Sequence, residues 1–253
     1  EAGGKGLFVR AIERALLAGE ADIAVHSLKD LPAGPDTSGL TLVAVPRRAD
    51  VRDCLIARNG ITSIQALPPG AVVGTSSLRR QAQILRRRPD LKVVAFRGNV
   101  QTRLRKLGEG EADATLLALA GLRRLGIADA ATEILDPDIL LPAVAQGAVG
   151  VTCRDGDGDI AARLESLNHV PSWQRVAAER AMLAALDGSC RTPIGGLAEF
   201  GPDGTLTLRG LLAKADGSDV FEAPRNGPVS EAEALGTAVG EELRRRAGPD
   251  FME

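Results

Sequence analysis

Apolar residues recur at helical spacing over residues 7–17, and two short apolar runs follow at 23–27 and 40–46. This pattern predicts a helix, a short buried strand and a second strand. Between residues 71 and 120 the chain repeats one theme three times: an apolar run, a tight turn of small residues and a segment of helical period. Such strand-turn-helix units predict a mainly parallel sheet with covering helices.

The last part of the chain changes character after one more predicted strand at residues 148–153, which we interpret as a return to the first sheet. A strong helical pattern at 172–186 is followed by a glycine-containing loop and by three apolar runs near 196–200, 205–212 and 220–223. Turn sequences separate these runs, and a final helix is predicted from about residue 229 to residue 246. We expect this last third to form a separate α+β domain.

Composition narrows the class of protein. The 253 residues are 44% hydrophobic and 25% charged, and no apolar run approaches the roughly 18 residues that a membrane span needs. The three cysteines, Cys54, Cys153 and Cys190, are widely spaced, which argues against a disulfide framework or a zinc knuckle. With only His26 and His169 available, imidazole-rich metal sites are also disfavoured. We expect a globular protein of a reducing, cytoplasmic compartment, with no metal and no membrane partner.

Positive charge is concentrated in one stretch although the net charge of the chain is only −2. Ten basic residues lie between Arg79 and Lys106 against the single acid Asp90, a local charge of +9. Most of them are arginines, whose planar guanidinium binds carboxylates and phosphates in a bidentate manner. A solvated helix end at residues 86–88 and a general bias toward arginine offer an alternative explanation for this run.

Small hydroxyl residues open the helix that follows the first of the three repeated strands. Thr75 and Ser77 stand where free backbone N–H groups and the helix dipole favour an anion, although such residues are also ordinary N-caps. Basic residues occupy turns that we expect to be equivalent in the next two repeats. Because ligands of open α/β sheets bind at the carboxyl ends of strands, one cleft is predicted to collect the guanidinium groups of Arg79, Arg80, Arg97, Arg103 and Arg124.

Several anionic groups on one ligand explain such a cluster better than a single phosphate does. The sequence contains neither GxxxxGK[ST] nor GxGxxG, which weakens any nucleotide hypothesis. Six aromatic residues in the whole chain leave little for stacking bases, so single-stranded nucleic acid is also disfavoured.

Two further residues are candidates for chemistry, and each has an ordinary alternative. Asp30 lies just beyond the predicted strand 23–27, where a carboxylate is either catalytic or a simple turn residue. Cys190 lies in a loop beside Arg191, which favours a thiolate, although from the residues alone a free surface thiol without a role is the preferred interpretation. Cys54 and Cys153 are predicted to be small buried residues, and His26 a core side chain with its hydrogen bonds satisfied.

Seven segments follow one another along the chain: GGKGLFVRAIE, ADIAVHSLKDLP, VGTSSLRRQAQ, FRGNVQTRLRKL, LALAGLRRLG, LPAVAQGAVG and AERAMLAALDGSCRTPIGG. Taken in this order, they resemble the porphobilinogen deaminase (hydroxymethylbilane synthase) family. The resemblance implies an enzyme that joins four porphobilinogen molecules head to tail with loss of ammonia and releases hydroxymethylbilane. It also implies a dipyrromethane cofactor held by a thioether to Cys190, and an essential carboxylate at Asp30. The cofactor and substrate ligands that it implies are Lys29, Thr75, Ser77, Arg79 and Arg80 for the cofactor and Arg97, Arg103 and Arg124 for the substrate.

The same resemblance implies the architecture: two α/β lobes like those of periplasmic binding proteins and a smaller C-terminal α+β domain. We expect domain 1 at residues 1–46 and 147–166, domain 2 at 47–146 and domain 3 at 167–253, with crossings between the lobes near 46–51 and 140–146. The family has a strand and a helix ahead of GGKG, so domain 1 is expected to be incomplete here. A monomer is expected.

Two other functions remain open at this level. A non-enzymatic anion-binding module of the same two-lobed architecture would need neither Asp30 nor Cys190. RNA binding ranks third, and salt-sensitive RNA affinity would favour it.

Overall fold

The computed structural model describes residues 5–34, 39–188 and 192–252, and its strands form three sheets. The helices are α1 (Lys5–Leu17), α2 (Leu78–Arg87), α3 (Val100–Gly108), α4 (Leu119–Arg124), α5 (Gly158–Leu164), α6 (Val170–Ala185) and α7 (Ala232–Ala247). The strands are β1 (Ala24–Ser27), β2 (Leu40–Ala44), β3 (Asp53–Ala57), β4 (Val72–Gly74), β5 (Lys92–Val94), β6 (Ala114–Ala118), β7 (Glu133–Ile134), β8 (Val149–Arg154), β9 (Ile194–Phe200), β10 (Leu206–Ala213) and β11 (Val220–Gly227). The result is an α/β fold with two lobes and a C-terminal α+β unit, as expected.

The first lobe contains a three-stranded sheet in the order β1-β8-β2, with both pairings antiparallel. The predicted return of the chain to the first sheet is therefore confirmed by β8. The first strand is a half-buried edge rather than the fully buried strand that the apolar run predicted: its burial alternates, and Val25 is 59% exposed.

The second lobe contains a five-stranded sheet in the order β5-β4-β6-β3-β7. The strands of the repeated theme pair in parallel, β4 with both β5 and β6. The remaining two pairings, β3 with β6 and β3 with β7, are antiparallel. The prediction of a mainly parallel sheet is wrong for the sheet as a whole, because β3, through which the chain enters from the first lobe, runs antiparallel to both of its neighbours.

Two crossings connect the lobes and run beside each other. The amide of Ala49 in the first crossing donates to the carbonyl of Gly147 in the second, at 3.0 Å. Gly147 has a φ of 80°, and a Cβ on it would lie 2.8 Å from the carbonyl oxygen of Asp50. A glycine is thus required where the two crossings touch.

The C-terminal unit packs α6 and α7 against an antiparallel sheet in the order β11-β10-β9. The two helices approach closely at Gly236, where a Cβ would lie 2.1 Å from the carbonyl oxygen of Ala178. This unit does not have a core of its own: Leu28 and Val45 of the first lobe belong to the same hydrophobic cluster as Val176 and Met182 of α6.

A buried ion pair fastens the C-terminal unit to both crossings. Glu179 of α6 is fully buried and accepts from the guanidinium of Arg48 at 2.6 and 3.0 Å. The same carboxylate accepts from the backbone amides of Ala145 and Ala198, at 2.7 and 2.9 Å. All four bonds satisfy a charge that would be costly to bury alone.

Cys54 and Cys153 are buried and free, as predicted. Burial raises the pKa of the Cys54 thiol to about 11. No helix within the described ranges is long and apolar enough to cross a lipid bilayer.

Candidate active site

Asp30 closes a short 3₁₀ turn, residues 28–30, that follows directly on β1. Leu28 is fully buried and anchors this turn, whereas Lys29 and Asp30 remain partly exposed. From the C-terminal unit, Arg180 donates to the carbonyl oxygens of Leu31 and Pro32 at 3.4 and 2.6 Å. The turn that carries Asp30 is therefore fixed by the buried side chain of Leu28 and by the hydrogen bonds from Arg180 of α6.

The turn between β4 and α2 is built by hydroxyl side chains that bond to the backbone. The hydroxyl of Thr75 accepts from the amide of Ser77 at 3.2 Å, and Thr75 is buried. Ser77 caps α2, its hydroxyl accepting from the amide of Arg80 at 3.5 Å. The N-cap explanation thus holds for Ser77.

Arg79 and Arg80 are buried and share one carboxylate, which sequence reasoning missed. Asp53, the first residue of β3, is fully buried and lies 2.8 Å from an Nη atom of Arg79 and 2.7 Å from one of Arg80. Arg79 also donates to the carbonyl of Leu141 at 2.6 Å, and Arg80 to that of Leu116 at 2.8 Å. The signal that could have identified Asp53 is an acid at the start of an otherwise apolar strand.

Burial raises the pKa of the Asp53 carboxyl, but the positive charges of Arg79 and Arg80 and their hydrogen bonds outweigh it and bring that pKa down to about 2. Asp53 is therefore ionised at any physiological pH. One guanidinium nitrogen, the Nε of Arg79, has no hydrogen-bond partner among the described residues. Arg79 and Arg80 are thus held in place by Asp53 and by backbone carbonyls, and the two guanidinium charges exceed the single carboxylate charge.

Gln146 links this arginine pair to the Asp30 turn. Its side-chain amide nitrogen donates to Asp53 at 3.1 Å, and its amide oxygen accepts from Lys29 at 3.5 Å. Lys29 of the first lobe and the arginine pair of the second are thereby linked through one buried glutamine on the second crossing.

Of the three other predicted arginines, Arg103 lies nearest this cluster. It is on α3, and its Nε donates to the carbonyl of Gly98 at 2.9 Å. Burial, and then the positive charge of Arg80, lower the pKa of Arg103. Arg97 is exposed between β5 and α3.

Arg124 does not occupy the position that the repeat predicted. Arg123 and Arg124 are the last residues of α4, a helix of six residues, and not part of a strand-to-helix turn. Arg123 pairs with Asp50 at 3.1 Å. The proposed equivalence of three turns is therefore wrong for the third, because α4 is so short that its arginines fall at its C-terminal end.

Three comparisons with known proteins bear on this arrangement. A family profile described as "Porphobilinogen deaminase, dipyromethane cofactor binding domain" matches residues 1–162, and one described as "Porphobilinogen deaminase, C-terminal domain" matches residues 173–245. The porphobilinogen deaminase of Paracoccus denitrificans is 54% identical over 253 residues, covering 100% of this chain and 80% of that protein. The chain belongs to the porphobilinogen deaminase family.

A plant relative agrees with this membership. The chloroplastic porphobilinogen deaminase of Oryza sativa is 52% identical, covering 99% of this chain and 70% of that protein. Among solved structures, a substrate-binding domain of an amino acid ABC transporter from Streptococcus pneumoniae is 15% identical, with a TM-score of 0.41 over 62% of this chain and 69% of that one.

The residues at the cleft fit the cofactor that the family profile names. A dipyrromethane carries acetate and propionate groups, and guanidinium groups with ammonium groups are the natural partners of several carboxylates on one ligand. Two guanidinium groups, those of Arg79 and Arg80, share the single carboxylate of Asp53, and the Nε of Arg79 has no hydrogen-bond partner among the described residues, so a donor and a positive charge are left for a ligand. Among the described residues, no group of three or more His, Cys, Asp or Glu side chains is arranged to hold a metal.

The remaining two predictions concern Cys190 and His26. Cys190, expected to attach the cofactor in this family, lies outside the described residues. His26 is buried, but its Nε2 has no hydrogen-bond partner within the described segments, so the prediction of a satisfied core histidine is wrong on that point. Burial lowers the pKa of His26, against the opposing charges of Glu13 and Asp30, which is consistent with a neutral ring.

Proposed function

We propose that this chain is a hydroxymethylbilane synthase: it condenses four porphobilinogen molecules head to tail, with loss of ammonia at each step, and releases hydroxymethylbilane. The observation that carries the proposal is the contact between the lobes, in which Gln146 joins the Lys29–Asp30 turn to the pair Arg79 and Arg80. Membership of the family supports the reaction class.

The basic cluster matches the charge of the substrate. Each porphobilinogen brings one acetate and one propionate, so a lengthening product accumulates carboxylates. We assign Lys29, Thr75, Ser77, Arg79 and Arg80 to the carboxylates of the cofactor, and Arg97, Arg103 and Arg124 to those of the incoming substrate. Each charge-assisted contact contributes about 1.5–3 kcal/mol, enough in sum to retain a polyanion through successive additions.

Asp30 is assigned the acid-base role. Loss of ammonia from the aminomethyl group of porphobilinogen leaves an electrophilic azafulvene and a developing positive charge on the pyrrole nitrogen. A carboxylate at the rim of the cleft serves as proton donor, proton acceptor and counter-ion to that charge. The packing of Leu28 and the contacts of Arg180 fix the turn, so the carboxylate does not have to be ordered during the reaction.

The dipyrromethane supplies the pyrrole carbon to which the first substrate is joined. We assign its attachment to a thioether at Cys190. The two described cysteines are poor alternatives because both are buried, and burial raises the pKa of each thiol. Arg191 beside Cys190 favours the thiolate that thioether formation requires.

Intact-mass measurement with an assay of porphobilinogen consumption tests the proposal. We expect a dipyrromethane-sized increment on the wild type that is absent from Cys190→Ser. Cys54→Ser is the matched control, since a serine can keep the contact that this thiol makes with the carbonyl of Leu117 at 3.4 Å; it should retain both the increment and the activity. An unmodified wild type with full activity would refute the cofactor assignment.

The same measurement separates the enzyme from the rival anion-binding module. A wild type that binds linear tetrapyrroles, carries no adduct and consumes no porphobilinogen would favour the module. We also propose that the protein is cytoplasmic, which the unpaired state of Cys54 and Cys153 supports. We further propose that it is a monomer, which sedimentation at micromolar concentration tests.

A further inference from the structure

Gln146 is fully buried on the second crossing, in a backbone segment whose course is tightly fixed. The preceding residue, Ala145, has a φ of 57°, in the left-handed region that a residue with a Cβ rarely enters. The carbonyl of Gln146 accepts from the Nε of Arg48 at 2.9 Å. A strained backbone conformation of this kind persists only where the surrounding structure holds it in place. The backbone from which the Gln146 side chain extends is therefore fixed.

The side-chain amide bonds to three groups from different parts of the molecule. Its nitrogen donates to the carbonyl of Val51 at 2.8 Å and to the carboxylate of Asp53 at 3.1 Å, both on the second-lobe side. Its oxygen accepts from the ammonium of Lys29, on the first lobe, at 3.5 Å. Only this orientation of the amide is compatible with its neighbours, because the reverse would place the NH2 group against an ammonium and the oxygen against a carboxylate.

We propose that Gln146 is a positioning residue for the condensation, holding Lys29 of the first lobe in register with the arginine pair of the second. The inference rests on the proposed function, in which Lys29 and the arginine pair bind the same cofactor and Lys29 adjoins Asp30. A shift of Lys29 relative to Arg79 and Arg80 would move the reacting ring relative to the Asp30 carboxylate. Small errors of this kind are costly, up to about 100-fold in rate.

Gln83 provides a matched control for Gln146. It is also a buried glutamine, and it also bonds to the second crossing: its oxygen accepts from the amide of Leu141 at 2.7 Å, and its nitrogen donates to the carbonyl of Leu141 at 3.1 Å. Its remaining bond is to the backbone carbonyl of Arg79 at 3.3 Å. Gln83 therefore has a structural role like that of Gln146, but within the described part of the chain its three hydrogen bonds are all to backbone groups.

The first experiment compares Gln146→Met with Gln83→Met, each an unbranched apolar replacement of similar length. Rates are expressed per molecule that carries the cofactor by intact mass. We expect Gln146→Met to lower kcat at least tenfold with KM within threefold, because the residues assigned to the incoming substrate are untouched. Gln83→Met should lose comparable thermal stability and keep kcat within twofold.

A second measurement does not depend on activity. The chain has five lysines, so amine acylation followed by peptide mapping reports on each of them. Release of the Lys29 ammonium from the Gln146 amide should raise the labelling rate of Lys29 at least threefold in Gln146→Met and leave it unchanged in Gln83→Met. Exposed Lys92 is the internal reference.

A double-mutant cycle with Lys29→Met identifies the path of the effect. If Gln146 acts through Lys29, adding Gln146→Met to Lys29→Met should lower kcat less than twofold further. Three results would each overturn the inference. The first is a double variant whose loss of kcat is the product of the two single losses. The others are equal Lys29 labelling, or an equal loss of kcat, in Gln146→Met and Gln83→Met. Should Gln146→Met not fold, Gln146→Asn keeps an amide that is too short to reach both lobes, and the same outcomes apply.

These results are distinguishable from a failure of the proposed function. A wild type that does not consume porphobilinogen would refute the enzyme assignment. A wild type that is active, with a Gln146 effect independent of Lys29, would refute only the positioning role.

Discussion

Glu179 offers the strongest test of what holds the three units together. The change is Glu179→Gln, which keeps the shape of the side chain and removes its charge. In the structure each carboxylate oxygen accepts two bonds: one oxygen from an Nη atom of Arg48 and the amide of Ala198, the other from the second Nη atom of Arg48 and the amide of Ala145.

The expected cost follows from that geometry. Whichever oxygen becomes the NH2 group, one backbone amide and one guanidinium N–H face a donor instead of an acceptor. Each unsatisfied group costs about 1–3 kcal/mol, and the buried charge of Arg48 is left without its partner. Breaking a buried ion pair from one side costs about 3–5 kcal/mol, so we expect that loss in the free energy of unfolding. For a chain of this size it corresponds to a fall in Tm of about 10 °C.

Thermal unfolding by calorimetry and urea unfolding at neutral pH measure this loss. The control is Glu109→Gln, which removes an exposed pair with Arg105 whose side chains are 49% and 60% accessible. Surface pairs of this kind contribute less than about 1 kcal/mol. A loss in Glu179→Gln no larger than in Glu109→Gln would show that the Arg48–Glu179 pair does not fasten the units.

Three further outcomes are expected. Asp30→Asn should keep the fold and tight ligand binding while porphobilinogen consumption nearly stops; near-normal turnover would remove Asp30 from the catalytic role. The pKa of Asp53, about 2 against an ordinary 3.8, lies lower in the folded state, so its stabilisation is complete above pH 4 and is lost as the pH falls from about 4 to 2. Between about pH 4 and pH 2 the free energy of unfolding should fall by about 2 kcal/mol in the wild type and by less in Asp53→Asn. An equal fall in both proteins would contradict the ion-pair geometry. Gly236→Ala should lower Tm despite the higher helix propensity of alanine, because the new Cβ meets a backbone carbonyl at 2.1 Å, whereas Gly108→Ala, with open space around it, should raise Tm slightly.

Sequence patterns were informative wherever neighbouring residues decide the structure. The helix at residues 172–186 is observed as Val170–Ala185, and the last of the predicted strands of the first lobe is observed as Val149–Arg154. Local chemistry also placed Asp30 at a turn and Ser77 at a helix start. In each case the hydrophobic period or the capping preference is set within a few residues.

What depends on distant parts of the chain was not predictable. The arginine run is visible in the sequence, but its partner Asp53 lies 27 residues before Arg80 and reaches it only because β3 pairs beside β6. An apolar run does not specify strand direction, so the antiparallel entry of β3 was missed. The contact between Lys29 and Gln146 spans 117 residues and follows from the way the crossings bring the lobes together.

The core that Leu28 and Val45 share with α6 changes what a boundary near residue 167 means. A protein truncated there would not contain an intact first lobe, since α6, against which the turn at residues 28–30 packs, belongs to the removed portion. Recombination between homologous genes at that point would have to match two packed surfaces at once. Substitutions in the last third of the polypeptide are therefore constrained by the first lobe, although the two regions are far apart in the sequence.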